Sequence, residues 1–183
     1  MLDVKAKLTY ADYLEMSDDE RYELLNGDLF LSPSPSELHQ YLLSVLHLRI
    51  GSFARDRNLG KVYFSPFDVV LSDTDVVKPD LLFISSDRIE IITANNVQGA
   101  PDLVVEILSP GTADRDRTLK LDLYAKHGVK EYWIVDPDAR TIMVLLQGEN
   151  RFEVSGIYGD EQSLTSPTLD GFTIALMDIL EAK

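Results

Sequence analysis

The chain has 183 residues, 45% of them hydrophobic, which is the size and composition of one globular domain able to bury a core. It has no cysteine, which excludes disulfides and thiolate metal sites, and no apolar run nears the roughly 20 residues needed to span a bilayer. Seventeen Lys and Arg against 31 Asp and Glu give a net charge of −14, which excludes a broad basic footprint, so any contact with DNA must be local, metal-bridged or weak.

The first residues, Met1-Leu2-Asp3-Val4-Lys5, carry no apolar signal core, and a cytoplasmic location is the expectation. Thr9 is placed to cap a short helix over 9–15. Residues 21–31 set apolar positions on both sides of Asn26-Gly27, a pair that tolerates the positive φ of a tight turn, and read as a β-hairpin. Pro33 and Pro35 end its second strand. Ser34-Pro35-Ser36-Glu37 has the form of a helix start, with serine as cap, proline first and glutamate third. Leu38, Leu42, Val45, Leu46, Ile50 and Phe53 then recur at helical spacing, predicting a long helix that ends near Asn58-Leu59-Gly60.

Three apolar runs, 62–71, 80–85 and 102–108, read as strands, with a helical turn over 87–94 between the last two. A second long helix starts at Thr112 or Asp114 and runs to His127, where Gly128 is the expected stop. Residues 131–135 read as another strand, closed by Asp136-Pro137-Asp138. Segments 141–146 and 151–157 read as a further hairpin, and 172–180 is weakly specified. Helices alternating with strands predict an α/β (α+β) domain, a mixed sheet with helices on its faces, occupying the whole chain as one unit.

Asp80 stands at the mouth of one apolar strand and Glu106 lies inside another. A lone buried carboxylate is costly, so such groups are paired, protonated or bound to metal. Two carboxylates on neighbouring strands offer hard oxygen ligands that suit Mg²⁺ or Mn²⁺. A lysine near them could orient or activate a water. Asp116 and Lys120 are four residues apart and would share a face of one helix, the first supporting the second. Asp102 reads as shaping the start of a strand. Tyr132 and Trp133 read as core or dimer-contact aromatics.

Pro79-Asp80 followed by Glu106-Ile107-Leu108 resembles the signature of the PD-(D/E)XK nucleases, with 26 positions between the two acids. The resemblance implies that Asp80 and Glu106 hold the metal and that the backbone carbonyl of Ile107 assists. The chain departs from the pattern at Leu108, where a lysine is expected, and Lys120 on the next helix is the replacement. Tyr22-Glu23-Leu24-Leu25-Asn26-Gly27, Ser34-Pro35-Ser36 to His39, Lys78-Pro79-Asp80-Leu81, Ala100 through Pro110, and Lys120 through Asp136 are similar to the Uma-type family of restriction-endonuclease-like proteins over roughly residues 9–150. That likeness implies a restriction-endonuclease-like mixed sheet flanked by helices, with an N-terminal β-hairpin. It also brings Glu23 and His39 into the site.

The expectation is therefore a Mg²⁺- or Mn²⁺-dependent phosphodiesterase acting on DNA, with Asp80, Glu106, Lys120, His39 and Glu23 at its site, no membrane association and a homodimeric assembly. Two other readings stand beside it. The acidic charge and Leu108 favour a catalytically inactive nuclease-fold interaction or nucleic-acid-associated module. A hydrolase of small phosphoesters would need no basic groove.

Overall fold

The computed structural model describes residues 6–16 and 21–180; the N-terminal pentapeptide read above for a signal core lies outside the described residues. Helix α1 (Tyr10–Leu14) begins at a reciprocal cap, in which the Thr9 hydroxyl accepts from the Asp12 amide and the Asp12 carboxylate accepts from Thr9 N. Strands β1 (Tyr22–Leu25) and β2 (Asp28–Leu31) form the expected hairpin, with Asn26 and Gly27 at φ 51° and 76°. Helix α2 (Glu37–Asp56) starts two positions later than the Ser34-Pro35 signal. Ser36 is the cap, and its hydroxyl accepts from His39 N at 3.2 Å.

The run expected as one strand over 62–71 is two, β3 (Gly60–Phe64) and β4 (Asp68–Ser72). Pro66 has no N–H to give to a ladder, and the chain passes from one sheet to another there. Next come β5 (Asp75–Val77), β6 (Leu81–Ser85), a short 3-10 helix over Ser86–Ile91, β7 (Asn96–Gln98) and β8 (Leu103–Ile107). The single helix expected over 112–127 is also two, α3 (Ala113–Arg117) and α4 (Leu119–His127), because Thr118 at φ −127°, ψ −80° breaks the helical path. Gly128 ends α4 in the left-handed conformation at φ 83°, as a C-terminal glycine should. Strands β9 (Glu131–Asp136), β10 (Thr141–Gln147) and β11 (Phe152–Tyr158) follow as a meander after a parallel crossover. The weakly specified C-terminal part is a hairpin, β12 (Ser163–Ser166) with β13 (Phe172–Ala175), and the turn α5 (Met177–Leu180).

Six strands make the central sheet in the order β11-β10-β9-β8-β6-β3; only β8 and β9 are parallel. A second sheet, β2-β1-β5-β4-β7, packs across one side. On one face of the central sheet, Leu42, Leu46 and Ile50 of α2 and Phe172 and Ile174 of β13 meet Leu81, Phe83, Val105, Trp133 and Val135. On the other, Leu123 and Tyr124 of α4 and Leu25, Val69 and Val77 of the second sheet meet Leu82, Ile84, Val104, Tyr132 and Ile134. Tyr132 and Trp133 are thus wholly inside, as core aromatics. A strand buried on both faces reads as continuously apolar, and each of its buried side chains stabilises the fold by about 1.5–3 kcal/mol. Glu106 interrupts that run on β8. The period of two sends Leu103, Val105 and Ile107 to the α2 face and Val104 and Glu106 to the α4 face. No described helix is long and apolar enough to cross a membrane.

Candidate active site

The site forms where the β6–β8 ladder runs out. Leu82 pairs with Val104 and Leu81 with Val105, so one further step sets Asp80 opposite Glu106. Asp80 leaves the ladder at that step. Its carbonyl accepts from Ser65 N at 2.9 Å, while its carboxylate Oδ2 accepts from Ile107 N at 2.7 Å. The side chain has replaced the strand partner that Ile107 would otherwise have. In extended backbone the N–H and C=O of one residue point the same way, so the Ile107 carbonyl faces the edge that bears Asp80.

His39 reaches the same Asp80 oxygen through Nε2 at 3.1 Å, from the first turn of α2 that the Ser36 cap fixes. Burial disfavours its charged form, but the Asp80 hydrogen bond and charge outweigh this and hold the imidazole above its ordinary value. Lys120 and Tyr124 lie one turn apart on α4 and converge on Glu106 Oε1, at 2.9 and 2.6 Å. Lys120 Nζ also meets Glu23 Oε1 at 2.9 Å and Asp116 Oδ1 at 3.4 Å. Glu23 is delivered by β1 and anchored by Lys78 N at 2.8 Å.

All five residues named from the sequence line one recess where the β6–β8 ladder ends, His39 reaching it from α2 on one face of the sheet and Lys120 from α4 on the other. One detail of the expectation is corrected: Asp116 and Lys120 do not share a helix. Asp116 is on α3 and Lys120 on α4, and the bend at Thr118 still leaves them in contact. Sequence reasoning missed Tyr124, Arg115 and Lys78. Tyr124 had a signal, since it follows Lys120 at helical spacing. Arg115 had none, because its direction depends on the break at Thr118. Its guanidinium lies over the Phe30 ring at 5.4 Å, with Glu23 Oε2 at 3.8 Å and Leu31 O at 3.5 Å.

The charges in this cluster do not balance. Side chains of Glu23, Glu106 and Lys120 are only 2%, 4% and 4% exposed. Burial opposes the charge on Lys120, but Glu106, Glu23 and Asp116 together hold it well above the ordinary lysine range. Burial pushes Glu106 well above the ordinary carboxylate value; Lys120 counteracts, and Asp116, Asp80 and Glu23 add to the rise. Asp116 is raised by burial in the same way, against Lys120. Lys120 serves Glu106, Glu23 and Asp116, with Arg115 at 3.8 Å from Glu23 and His39 at 3.1 Å from Asp80. Glu106 and Asp116 are still held above their ordinary values, and such a cluster takes up either a proton or another cation.

A mixed sheet with two acids at the facing ends of adjacent strands, and a lysine laid over one of them, defines a protein of the restriction-endonuclease-like fold. Residues 10–177 match the Uma2 family, described as "Putative restriction endonuclease", and the chain belongs to that family. Among solved structures it is similar to a crystal structure of "a putative nuclease belonging to DUF820" from Anabaena variabilis ATCC 29413. The two are 21% identical with a TM-score of 0.80, covering 94% of this chain and 97% of that one. At that identity the likeness is one of fold. No curated protein matches the chain.

Proposed function

We propose that the chain is a nuclease that hydrolyses phosphodiester bonds of DNA with Mg²⁺ or Mn²⁺. The observation that carries this reading is the placement of Asp80 one step beyond the last β6–β8 pair, bonded to Ile107 N beside Glu106, with Lys120 on Glu106. The residues fit a divalent ion. Both acids are hard oxygen donors, and the buried excess of carboxylate charge is what a cation would relieve. Among the described residues no three His, Asp or Glu side chains form a ready-made cage, so the ligand set would be Asp80, Glu106 and the Ile107 carbonyl. Such an ion supplies Lewis-acid stabilisation of the phosphoryl oxygens when bound.

The protein groups then have separate tasks. Lys120 keeps its proton, so it acts as a cation and donor rather than as a base. It orients the attacking water and steadies the negative charge that grows on the phosphate. Glu23 and Asp116 hold Lys120 in place, and His39 and Ile107 N hold Asp80. In the reaction the water oxygen bonds to phosphorus and the phosphorus–oxygen ester bond breaks. One proton goes to the departing alcohol and the other to solvent.

The test is incubation with plasmid and single-stranded DNA in Mg²⁺, Mn²⁺ or chelator, beside Asp80→Ala and Glu106→Ala. Metal-dependent cleavage that both variants lose is expected; cleavage that survives in either removes the assigned site. The absence of both cleavage and calorimetric metal binding would instead favour a non-catalytic module, the reading that the net charge of −14 recommends.

A further inference from the structure

Resting on the reading above, we infer that the DNA taken by this site is single-stranded, and that Arg115 and Arg21 receive its phosphates. The first observation is depth. Glu106 and Lys120 are each 4% exposed, Arg115 12% and Asp80 15%, so a scissile phosphate must be carried into a recess to meet them. The recess is walled by the 32–35 segment after β2, the start of α2 at His39 and Gln40, Ser65 after β3, and Ser109 and Thr112 before α3.

This wall is not a loose flap. Leu24 of the hairpin pairs with Val76 in the second sheet, Lys78 N binds Glu23, and Ser32 N donates to Arg21 O at 2.7 Å. A duplex is stiff over about 150 base pairs and presents its phosphates on a convex surface. A single strand bends freely and can turn one phosphate inward.

The second observation is charge. The chain carries 31 acidic residues, yet among the described residues the exposed ones lining the mouth are Arg21, Pro33, Ser34 and Gln40, with no carboxylate among those four. Of the described acids that line the recess, Glu23, Glu106 and Asp116 are buried and Asp80 is half-buried. Arg115 is only loosely held there, by contacts of 3.5 and 3.8 Å, and its Nε is buried without a hydrogen-bond partner among the described residues. A guanidinium in that state is matched by the paired oxygens of a phosphate.

The third observation is aromatic. Phe64 is 50% exposed, immediately precedes Ser65 of the mouth, and has the His47 ring 4.5 Å from its own. Phe64 does not itself line the recess, but an exposed ring one residue along the chain from it is a surface on which an unpaired base of a strand leaving the recess can stack.

Fluorescence anisotropy tests this without requiring cleavage. A short fluorescein-labelled oligonucleotide is titrated in Ca²⁺, single-stranded or annealed to its complement. At least about tenfold tighter binding of the single strand is expected. Arg115→Ala should weaken single-strand binding about tenfold, with Arg115→Lys recovering part of the loss, while Mn²⁺ affinity stays at the wild-type value and circular dichroism shows the protein folded at the assay temperature. Duplex binding that equals or exceeds single-strand binding overturns the inference, and so does an Arg115→Ala protein that binds the single strand unchanged.

Hydrolysis in Mn²⁺ separates the two claims, with bis(4-nitrophenyl) phosphate as a diester that needs no strand selection. If the single strand binds preferentially but neither DNA nor the small diester is hydrolysed, the catalytic reading falls and the strand preference stands. If duplex is cut as fast as single strand, the preference falls and the catalytic reading stands.

Discussion

Two buried carboxylates stand four residues apart around one strand, Asp102 just before β8 and Glu106 near its other end. Asp102 is fully matched: Arg88 lies at 2.9 Å, Lys130 at 2.7 Å, and the amide and hydroxyl of Ser85 at 2.9 Å each. Burial works to raise its pKa, but Lys130, Ser85 and Arg88 prevail and hold it below the ordinary value. Glu106 is the reverse: burial raises its pKa well above the ordinary value, Lys120 counteracts, and Asp116, Asp80 and Glu23 add to the rise. The same strand thus carries one carboxylate finished as structure and one left short of positive charge. A folded chain keeps such an imbalance where a cation or substrate is to complete it.

The strongest way to break this contrast is to neutralise each acid in turn. Glu106→Gln should lower DNA cleavage in Mn²⁺ by roughly a hundredfold or more. Its urea stability at neutral pH should equal or exceed wild type, since Lys120 keeps Glu23 and Asp116 as partners. Asp102→Asn should do the opposite, sparing activity and costing about 3 kcal/mol at neutral pH, because it leaves Arg88 and Lys130 facing an uncharged group.

The pH dependence of that loss has a definite sign. The folded-state pKa of Asp102 lies below its ordinary 3.8, so its contribution is present above that value and fades as the pH falls through the folded one. The gap between wild type and Asp102→Asn therefore closes in acid, as read by urea titrations over a pH series.

Metal should act on one end of β8 only. Mn²⁺ at about a hundred times its Kd should stabilise the wild type by about 2.7 kcal/mol in thermal unfolding, and Asp80→Asn by almost nothing. Glu106 and Asp116 hold protons more tightly than ordinary carboxylates, and binding must displace them. The affinity should fall as pH falls, with proton release visible by calorimetry in buffers of different ionisation enthalpy. The smallest effect is expected from Tyr124→Phe, which removes one hydrogen bond to Glu106 and should cost about 1 kcal/mol in urea unfolding.

Much of this was legible in the sequence. An acid inside an unbroken apolar strand has few explanations, and that reasoning reaches Asp80 and Glu106 without a structure. Asn26-Gly27 and Gly128 also announced themselves, because each needs a backbone conformation that other residues resist. The segments that were missed have tertiary causes. Strands β5 and β7 have three residues each, too few to show a period, and exist because neighbours pair with them. The break at Thr118 has no glycine or proline to mark it. The partners of Asp102 lie 14 residues before it in Arg88 and 28 after it in Lys130, a match that only the folded sheet makes.

The central claim is that the Glu106 end of β8 awaits a cation and the Asp102 end does not. A crystal soaked in Mn²⁺ and measured for anomalous scattering tests it most directly. A peak between Asp80 and Glu106, on the side of the Ile107 carbonyl and with none at Asp102, is the predicted result. A crystal with no peak at Asp80 and Glu106, or with Mn²⁺ at Asp102 instead, would contradict it.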